Sequence, residues 1–464
     1  MSETLSLARC RATKTSDLPD AGCAPRTRFV WREDIVSWGR VDRRPQLWAR
    51  PAFRDELDAL VADPVSREKL GVGLRRSYGD SCLNFGGALI DATGLDRLIA
   101  FDPETGRLRA EAGASISEAL QVIVPRGWFL PTTPGTRFVT LGGAVANDVH
   151  GKNHHRAGSF GSSVAALGLL SSDGRRLMLT QETEPDLFRA TIGGLGLTGF
   201  IEWVEFRLAP IPSAVLDVET APFESLEEFW ALATESVDSH EHTVAWIDCT
   251  TNQGRGAFTR ANWAAVGELA PHKDRSSRVI PFDFPGFALN RLSVGAFNEF
   301  YYRLQKMKGA RQRQSYEAYF YPLDSVRSWN RLYGAHGMRQ YQCVIPWGEE
   351  RVALPALLGE IARAGEASFL AVLKTFGDKP SPGLLSFPRP GTTLALDFPN
   401  RGEATLTLMS RLDAIVREAK GALYPAKDGR MPAEMFQLSF PQWETVARLK
   451  DPAMNSDFWR RVSR

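Results

Sequence analysis

Three glycine-rich loops fall within about 130 residues of a 464-residue chain: LRRSYGDS (74–81), TPGTRFVTLGGAVANDVHGKNHH (133–155) and GGLGLTGFI (193–201). Loops of this kind offer backbone N–H groups and let the main chain approach an anionic ligand closely. Any one of them is an ordinary turn. Three in one region require a fold that gathers loops around a common ligand. The second loop is also too long for a simple connection, and long irregular segments are often functional.

The string GLGLTG (194–199) matches the GxGxxG pattern letter for letter. A dinucleotide fingerprint needs a strand before it and a helix after it, so that a helix N-terminus meets the pyrophosphate. Here helix-like DLFRATIG precedes and strand-like FIEWVEF follows. The order is inverted, so the Rossmann reading is rejected.

Around the loops, FRDELDALVADPVSREKL (53–70) has the spacing of an amphipathic helix. ALID (88–91), LIAFD (98–102) and RLRAEA (107–112) read as short strands, the last two joined by a DPETG turn. ASISEALQVIVPRG (114–127) reads as a helix capped by Ser115 or Ser117. VAALGLLSSDGRRLMLT (164–180) reads as a hairpin about Asp173-Gly174. Composition shifts after Pro210-Ile211-Pro212. Segment 269–310 mixes basic residues with a Pro-broken apolar run, VIPFDFPGFAL (279–289), and reads as a flexible lid without sustained helix or strand periodicity. Residues 404–421 read as a helix and 423–432 as a loop.

Composition removes several function classes. Lys+Arg number 56 against 54 Asp+Glu, a net charge of +2, which gives no footprint for bulk nucleic-acid binding. No apolar run approaches the ~18–20 residues needed to cross a bilayer. The five cysteines are dispersed, odd in number and form no CxxC pair, so neither a disulfide framework nor a zinc site is expected. Reduced thiols suit a cytoplasmic setting, with peripheral contact at the inner membrane left open. Residues 1–27 lack an apolar signal core and read as a frayed polar tail.

The three loops, in this order, resemble the FAD-binding domain of the vanillyl-alcohol-oxidase (p-cresol-methylhydroxylase) type. RSYGD, PGT, TLGGA, HGKNHH, LFRATIGG, GLTG, QYQ, SFP and LY-x-AKD recur in order along the chain and resemble the FAD-subunit family of decaprenylphosphoryl-β-D-ribose 2′-epimerases, sugar oxidases of arabinan precursor synthesis for the cell wall. The resemblance implies an α+β fold: a two-subdomain FAD-binding domain at 28–212, an antiparallel-sheet substrate domain at 213–421, and a C-terminal segment, 422–464, returning to the FAD domain. It implies FAD as cofactor, a sugar or polyprenylphosphoryl-sugar substrate, and an NAD(P)H-dependent short-chain reductase as pathway partner.

The resemblance also implies residue roles. Arg76, Ser77, Tyr78, Gly79 and Asp80 match a first flavin loop. Gly135, Thr140, Leu141, Gly142 and Gly143 match pyrophosphate contacts. Asn147, Asp148, Val149 and His150 match the stretch beside the isoalloxazine. Gly199, Ile201 and Tyr424 match further FAD contacts. Lys427 matches a lysine facing flavin and substrate, and Gln340, Gln342 and Lys374 match polar pocket residues. Three positions depart from the mycobacterial pattern: Ala395 stands for a pocket cysteine, Thr393 for an asparagine and Phe320 for a tyrosine.

Oxidation of a secondary alcohol needs a base for the hydroxyl proton and charge to stabilise the reduced flavin. Lys427 can supply positive charge and, if buried, can act as the base. His150 or Tyr78 can orient the hydroxyl or relay its proton. From the residues alone His150 is equally a loop histidine with no catalytic task, and Lys427 a solvated surface lysine. His154-His155 lack the spacing of helical metal ligands, so no metal site is expected. Non-covalent FAD is expected, because no histidine precedes His150 and Cys82 is the one nearby cysteine. An alditol or aldonolactone oxidase acting on a soluble polyol, and a flavin-binding protein without turnover, are the competing readings.

Overall fold

The computed structural model describes residues 27–251, 253–270, 278–307 and 310–464. The polar-tail expectation for 1–27 therefore lies almost wholly outside the described residues. The described chain is a mixed α+β assembly built on three sheets of four or more strands.

The first sheet runs Val30–Arg32, Gln46–Ala49, Ala88–Asp91, Lys69–Val72, with the last three strands parallel. Its central strand, ALID, is buried on both faces, as parallel strands generally are. The second is an antiparallel sheet of Leu98–Asp102, Arg107–Glu111, Phe200–Arg207, Val164–Leu170 and Arg176–Leu179. Ser115 caps the helix Ile116–Ile123 through a capping box with Glu118. The amphipathic pattern over 53–70 yields only Glu56–Ala62, followed by the strand Lys69–Val72. Pro64 explains the stop: the residue before a proline is driven out of the helical region, and Asp63 has ψ of 123°.

The third sheet has eight antiparallel strands, ordered Arg311–Ser315, Val215–Phe223, Gly256–Trp263, His242–Ile247, Ala371–Phe376, Gly391–Pro399, Met338–Pro346, Ala422–Leu423. One face packs against the helices Leu226–Ser236, Glu350–Ala364 and Glu403–Glu418, burying Cys343, Ile345, Leu394 and Leu396 against Phe229, Leu357 and Leu412. Each fully buried side chain of this size contributes roughly 1.5–3 kcal/mol. Because strand side chains alternate, Gln340, Gln342, Thr393, Ala395 and Asp397 take the opposite face. Lys374 joins them, paired across the ladder with Thr393.

The segment read as an irregular lid contains a 17-residue helix, Arg291–Met307. The helix has no apolar inner stripe for a sequence pattern to reveal, because it buries Asn298 and Gln305 beside Val294 and Tyr302. The C-terminal residues pack on the first sheet. Lys69 N–H donates to the Ala453 carbonyl (2.7 Å), Asn455 N–H to the Lys69 carbonyl (2.8 Å), and Arg461 pairs with buried Asp80 at 2.7 Å.

Candidate active site

The three loops converge, and each carries a non-glycine residue at positive φ: Arg75 (50°), Asp148 (37°) and Leu195 (56°). Such conformations persist only where surroundings over-determine them, and they cluster at functional sites. GLGLTG lies between the helix Pro185–Thr191 and the strand Phe200–Arg207, so the inverted context holds. Gly193 and Leu195 N–H donate to the carbonyls of Val145 and Ala146, knitting the third loop to the second.

The first loop is locked to the C-terminal segment. Tyr78 N–H donates to the Ala426 carbonyl (2.9 Å), and Ser77 accepts from Trp38 N–H (2.8 Å). A Cβ at Gly79 would lie 1.7 Å from the Asp428 carbonyl oxygen, so only glycine allows this crossing. Arg76 stacks its guanidinium 4.0 Å from the Trp38 ring centroid and donates to the Phe138 carbonyl. The Asp80 carboxylate is taken by Arg461.

In the second loop Gly135 is exposed. Thr140 caps the short helix Leu141–Ala146 by accepting from Gly143 N–H (3.2 Å). Leu141 and Gly142 N–H donate to the carbonyls of Ala114 and Ala112, both at 2.8 Å. These three amides are engaged within the fold, so this stretch presents surface to a ligand and not free donors. Asp148 is fully buried and latches the loop: Gly161 N–H (2.7 Å) and Ser386 Oγ (2.5 Å) donate to its two oxygens. Burial raises its pKa. Val149 packs on the core under the second sheet. Ile201 is buried in that same core, and Gly199 lies tight against Leu169 and Leu170. Phe320 is also a core residue, with its ring against Phe129, His242 and Trp263.

His150 sits at the junction of loop and sheet. Gln342 Nε2 lies 3.0 Å from His150 Nε2, and Lys374 Nζ 3.1 Å from Nδ1. The ring is flanked by Phe376, Phe387 and Tyr424, and Phe387 stacks on Tyr424 at 4.5 Å. Burial holds the imidazole pKa well below its usual value, so His150 is neutral. Its tautomer follows from the hydrogen bonds. Thr393 Oγ1 donates to the Cys343 carbonyl and so accepts from the Gln342 amide. That turns the Gln342 N–H group toward His150, where Nε2 must accept. The imidazole proton is then on Nδ1, facing Lys374. A neutral amine can accept it while donating to the Gly151 carbonyl at 3.4 Å. Burial and the neighbouring Lys427 bring Lys374 down to about 7, in keeping with that state.

Lys427 places its ammonium 3.9 Å from the Tyr78 ring centroid. Burial lowers its pKa, and Asp397 opposes the shift. Asp397, paired with Gln340 across the ladder and accepting from its amide, is raised toward neutral pH by burial. Burial likewise holds the Tyr78 phenol well above its ordinary value, so it can donate a hydrogen bond but cannot serve as a base. Asp397 is the site residue the sequence reading missed. The signal was present: it lies two and four residues beyond Ala395 and Thr393 on one strand face.

Lys152 is a third deep lysine, over the Tyr319 ring at 4.1 Å and brought by burial to about 7. All three lysines are half-buried. His154 accepts from Gly377 N–H and His155 meets the His240 carbonyl, so both serve packing.

Lys152 lies within electrostatic reach of Lys374, Lys374 of Lys427, and Lys427 of the Asp397 carboxylate, an arrangement that favours an anionic occupant. Asn147 Oδ1 is buried without a partner while Tyr424 OH donates to the Asn147 carbonyl. The cationic groups fit FAD, whose pyrophosphate and reduced ring both carry negative charge, and the unpartnered Asn147 Oδ1 can accept from a ring N–H. Residues 45–180 match the FAD binding domain family. Site and match together define an FAD-dependent oxidoreductase.

Over 456 residues the chain is 35% identical to the decaprenylphosphoryl-β-D-ribose oxidase of Mycolicibacterium smegmatis, covering 92% of this chain and 97% of that one. It therefore belongs to the decaprenylphosphoryl-β-D-ribose oxidase family. A Streptomyces coelicolor protein from the mprA 5′ region is 31% identical over 365 residues, 74% of this chain and 98% of its own. The D-arabinono-1,4-lactone oxidase of Eremothecium gossypii is 29% identical over 202 residues, covering 41% of this chain and 37% of that enzyme.

Proposed function

We propose that the protein oxidises a secondary alcohol of a polyprenylphosphoryl-ribose, the C2′ hydroxyl, to a keto-sugar. The observation carrying this reading is the meeting of the polar sheet face (Gln340, Gln342, Lys374, Asp397) with the flavin loops at His150 and Lys427. The family relationship along nearly the whole chain supports the same substrate class. In this reading residues 28–212 and 422–464 form the FAD unit, itself of two subdomains, and 213–421 the substrate unit. An NAD(P)H-dependent short-chain reductase completes the epimerisation as pathway partner.

When bound, FAD supplies the two-electron acceptor for the carbinol hydride. The chain's own residues handle the proton and the charge. Lys427 and Asp397, both shifted toward neutral pH, form the pair that accepts the hydroxyl proton. Protonated Tyr78 orients by donating. The neutral His150–Lys374 link holds Gln342 in place and keeps a further proton store beside the site.

A soluble-polyol or lactone oxidase is the competing reading, and the lactone oxidase match is confined to less than half of this chain. Anaerobic bleaching of the bound flavin decides between them. Reduction by a polyprenylphosphoryl-ribose and not by free alditols or aldonolactones is the expected result. Reduction by free polyols alone would overturn the reading.

A further inference from the structure

The helix Arg291–Met307 is built inside out. Toward the protein it presents Val294, Asn298, Tyr302 and Gln305. Asn298 Nδ2 donates to Asp248 Oδ1 (2.8 Å), and Arg255 bridges Asp248 and Glu299 (2.9 and 2.7 Å). Toward solvent it presents Leu292, Ala296, Phe300 and Met307, spaced by four, four and seven residues on one helical face, with Leu304 half-buried along the same line. Leu292, Phe300 and Met307 are 84%, 67% and 83% exposed, and Phe282 and Phe287 on the preceding stretch are 63% and 79% exposed. Scattered exposed apolar residues are unremarkable, but a contiguous set on one face marks an interaction surface.

The chemistry of the surroundings selects the occupant. Residues 278–307 carry Arg278, Arg291, Arg303 and Lys306 against Asp283 and Glu299. Both carboxylates are engaged by arginines: Asp283 by Arg40, Glu299 by Arg255 and Arg303; Lys306 in turn pairs with Glu224 at 2.5 Å, an exposed pair that is worth little and can open. An apolar stripe edged by long basic side chains suits the headgroup boundary of a bilayer, where the stems lie along apolar surface and the charges meet lipid phosphates. No helix among the described residues is long and apolar enough to cross a membrane, so the contact would be one of lying on the surface. The face also adjoins the site: Leu289, just before the helix, packs in the cluster of Trp38, Tyr78, Trp329 and Tyr333.

We infer that this helix face and the preceding Phe282–Phe287 stretch dock the enzyme onto an anionic lipid surface, with the substrate cleft opening beside the headgroups. The inference rests on the lipid-linked substrate reading, which would explain why a cleft should open at a bilayer.

The test is vesicle co-sedimentation of the full-length holoenzyme, with no substrate present, on phosphatidylcholine vesicles with and without phosphatidylglycerol. Binding that strengthens with phosphatidylglycerol is expected. The double variant Leu292→Ser/Phe300→Ser should lose about tenfold or more in partitioning. Val352→Ser, at a 74% exposed position on another helix, should leave it unchanged. Flavin absorbance confirms that each variant is folded. No binding to either vesicle, or equal binding by the double variant, would overturn the inference. So would wild-type self-association that the double variant abolishes without any vesicle binding, since the occupant would then be a second copy. Flavin reduction by a water-dispersed short-prenyl substrate reads the proposed function separately.

Discussion

The ammonium of Lys427 stands 3.9 Å from the centroid of the Tyr78 ring, and the backbone of Tyr78 is itself hydrogen bonded to Ala426. The first glycine-rich loop and the loop over 424–432 thus hold each other, although some 350 residues of chain separate them. A cation over an aromatic face contributes about 0.5–2 kcal/mol, which fixes the lysine without neutralising it.

Lys427→Ala should therefore cut substrate-dependent flavin reduction by about 10²–10⁴-fold while FAD remains bound. Stopped-flow bleaching at the flavin band measures it. A loss under tenfold would remove Lys427 from the proton-handling step.

Lys374 gives a stability prediction with a definite sign. Its pKa is about 7 in the folded protein and that of an ordinary lysine, about 10.5, when unfolded. Between those values the unfolded chain binds more protons, so this group's contribution to stability rises with pH across that window and is most unfavourable below about 7. Lys374→Met should raise the melting temperature of the substrate-free enzyme in mildly acidic buffer, by an amount corresponding to about 1–3 kcal/mol after allowance for residual solvent access. The gain should fade as pH approaches 10. A gain independent of pH would indicate a packing effect instead.

These residues also mark what was legible in the sequence. The short strands ALID and LIAFD, the Ser115 cap and the hairpin about Asp173-Gly174 depend on local chemistry and are found where that chemistry puts them. Pro64 is equally visible in the sequence and ends the helix that the apolar spacing over 53–70 would continue. Asp397 could have been reached by alternation from Thr393 and Ala395. The helix Arg291–Met307 could not be found by looking for an apolar inner face, because its inner face is polar and satisfied by Asp248. Nor could spacing reveal that the Asp80 and Asp148 carboxylates are held by Arg461 and Ser386, since both partners lie more than 200 residues away.

The Asp80–Arg461 contact carries its own consequence. Asp80 is almost wholly buried, and its pKa is raised by burial despite the opposing charge of Arg461. Arg461→Ala leaves that carboxylate without its partner, a change that costs about 3–5 kcal/mol for a buried pair. Thermal unfolding should show the loss, and Asp80→Asn added to Arg461→Ala should recover part of it. No recovery would mean that Arg461 acts chiefly through its other contacts.

FAD should be released by acid precipitation. No histidine precedes His150 in the chain, and burial pushes the Cys82 thiol up to about 12, far from the thiolate a covalent link would need. Yellow colour in the supernatant is the expected observation, and colour retained in the pellet would contradict it.

The last prediction tests the sheet register as well as the pocket. Ala395 pairs with Gln342 and Val372 across its two ladders and alternates with Leu394 and Leu396, which are buried against the helices. It therefore shares a face with Thr393 and Asp397. Cys343 is on the opposite face, fully buried, with its thiol pushed up to about 12. The native enzyme should thus offer no reactive thiol at the cleft. Ala395→Cys should create one on the polar face, diagonal across the ladder from Lys374. Intact-protein mass spectrometry after treatment with a small alkylating agent should show one additional adduct on the variant, and bound substrate should slow its formation. An Ala395→Cys protein that turns over flavin yet gains no adduct would place position 395 away from the cleft, and the polar face of the sheet would have to be reassigned.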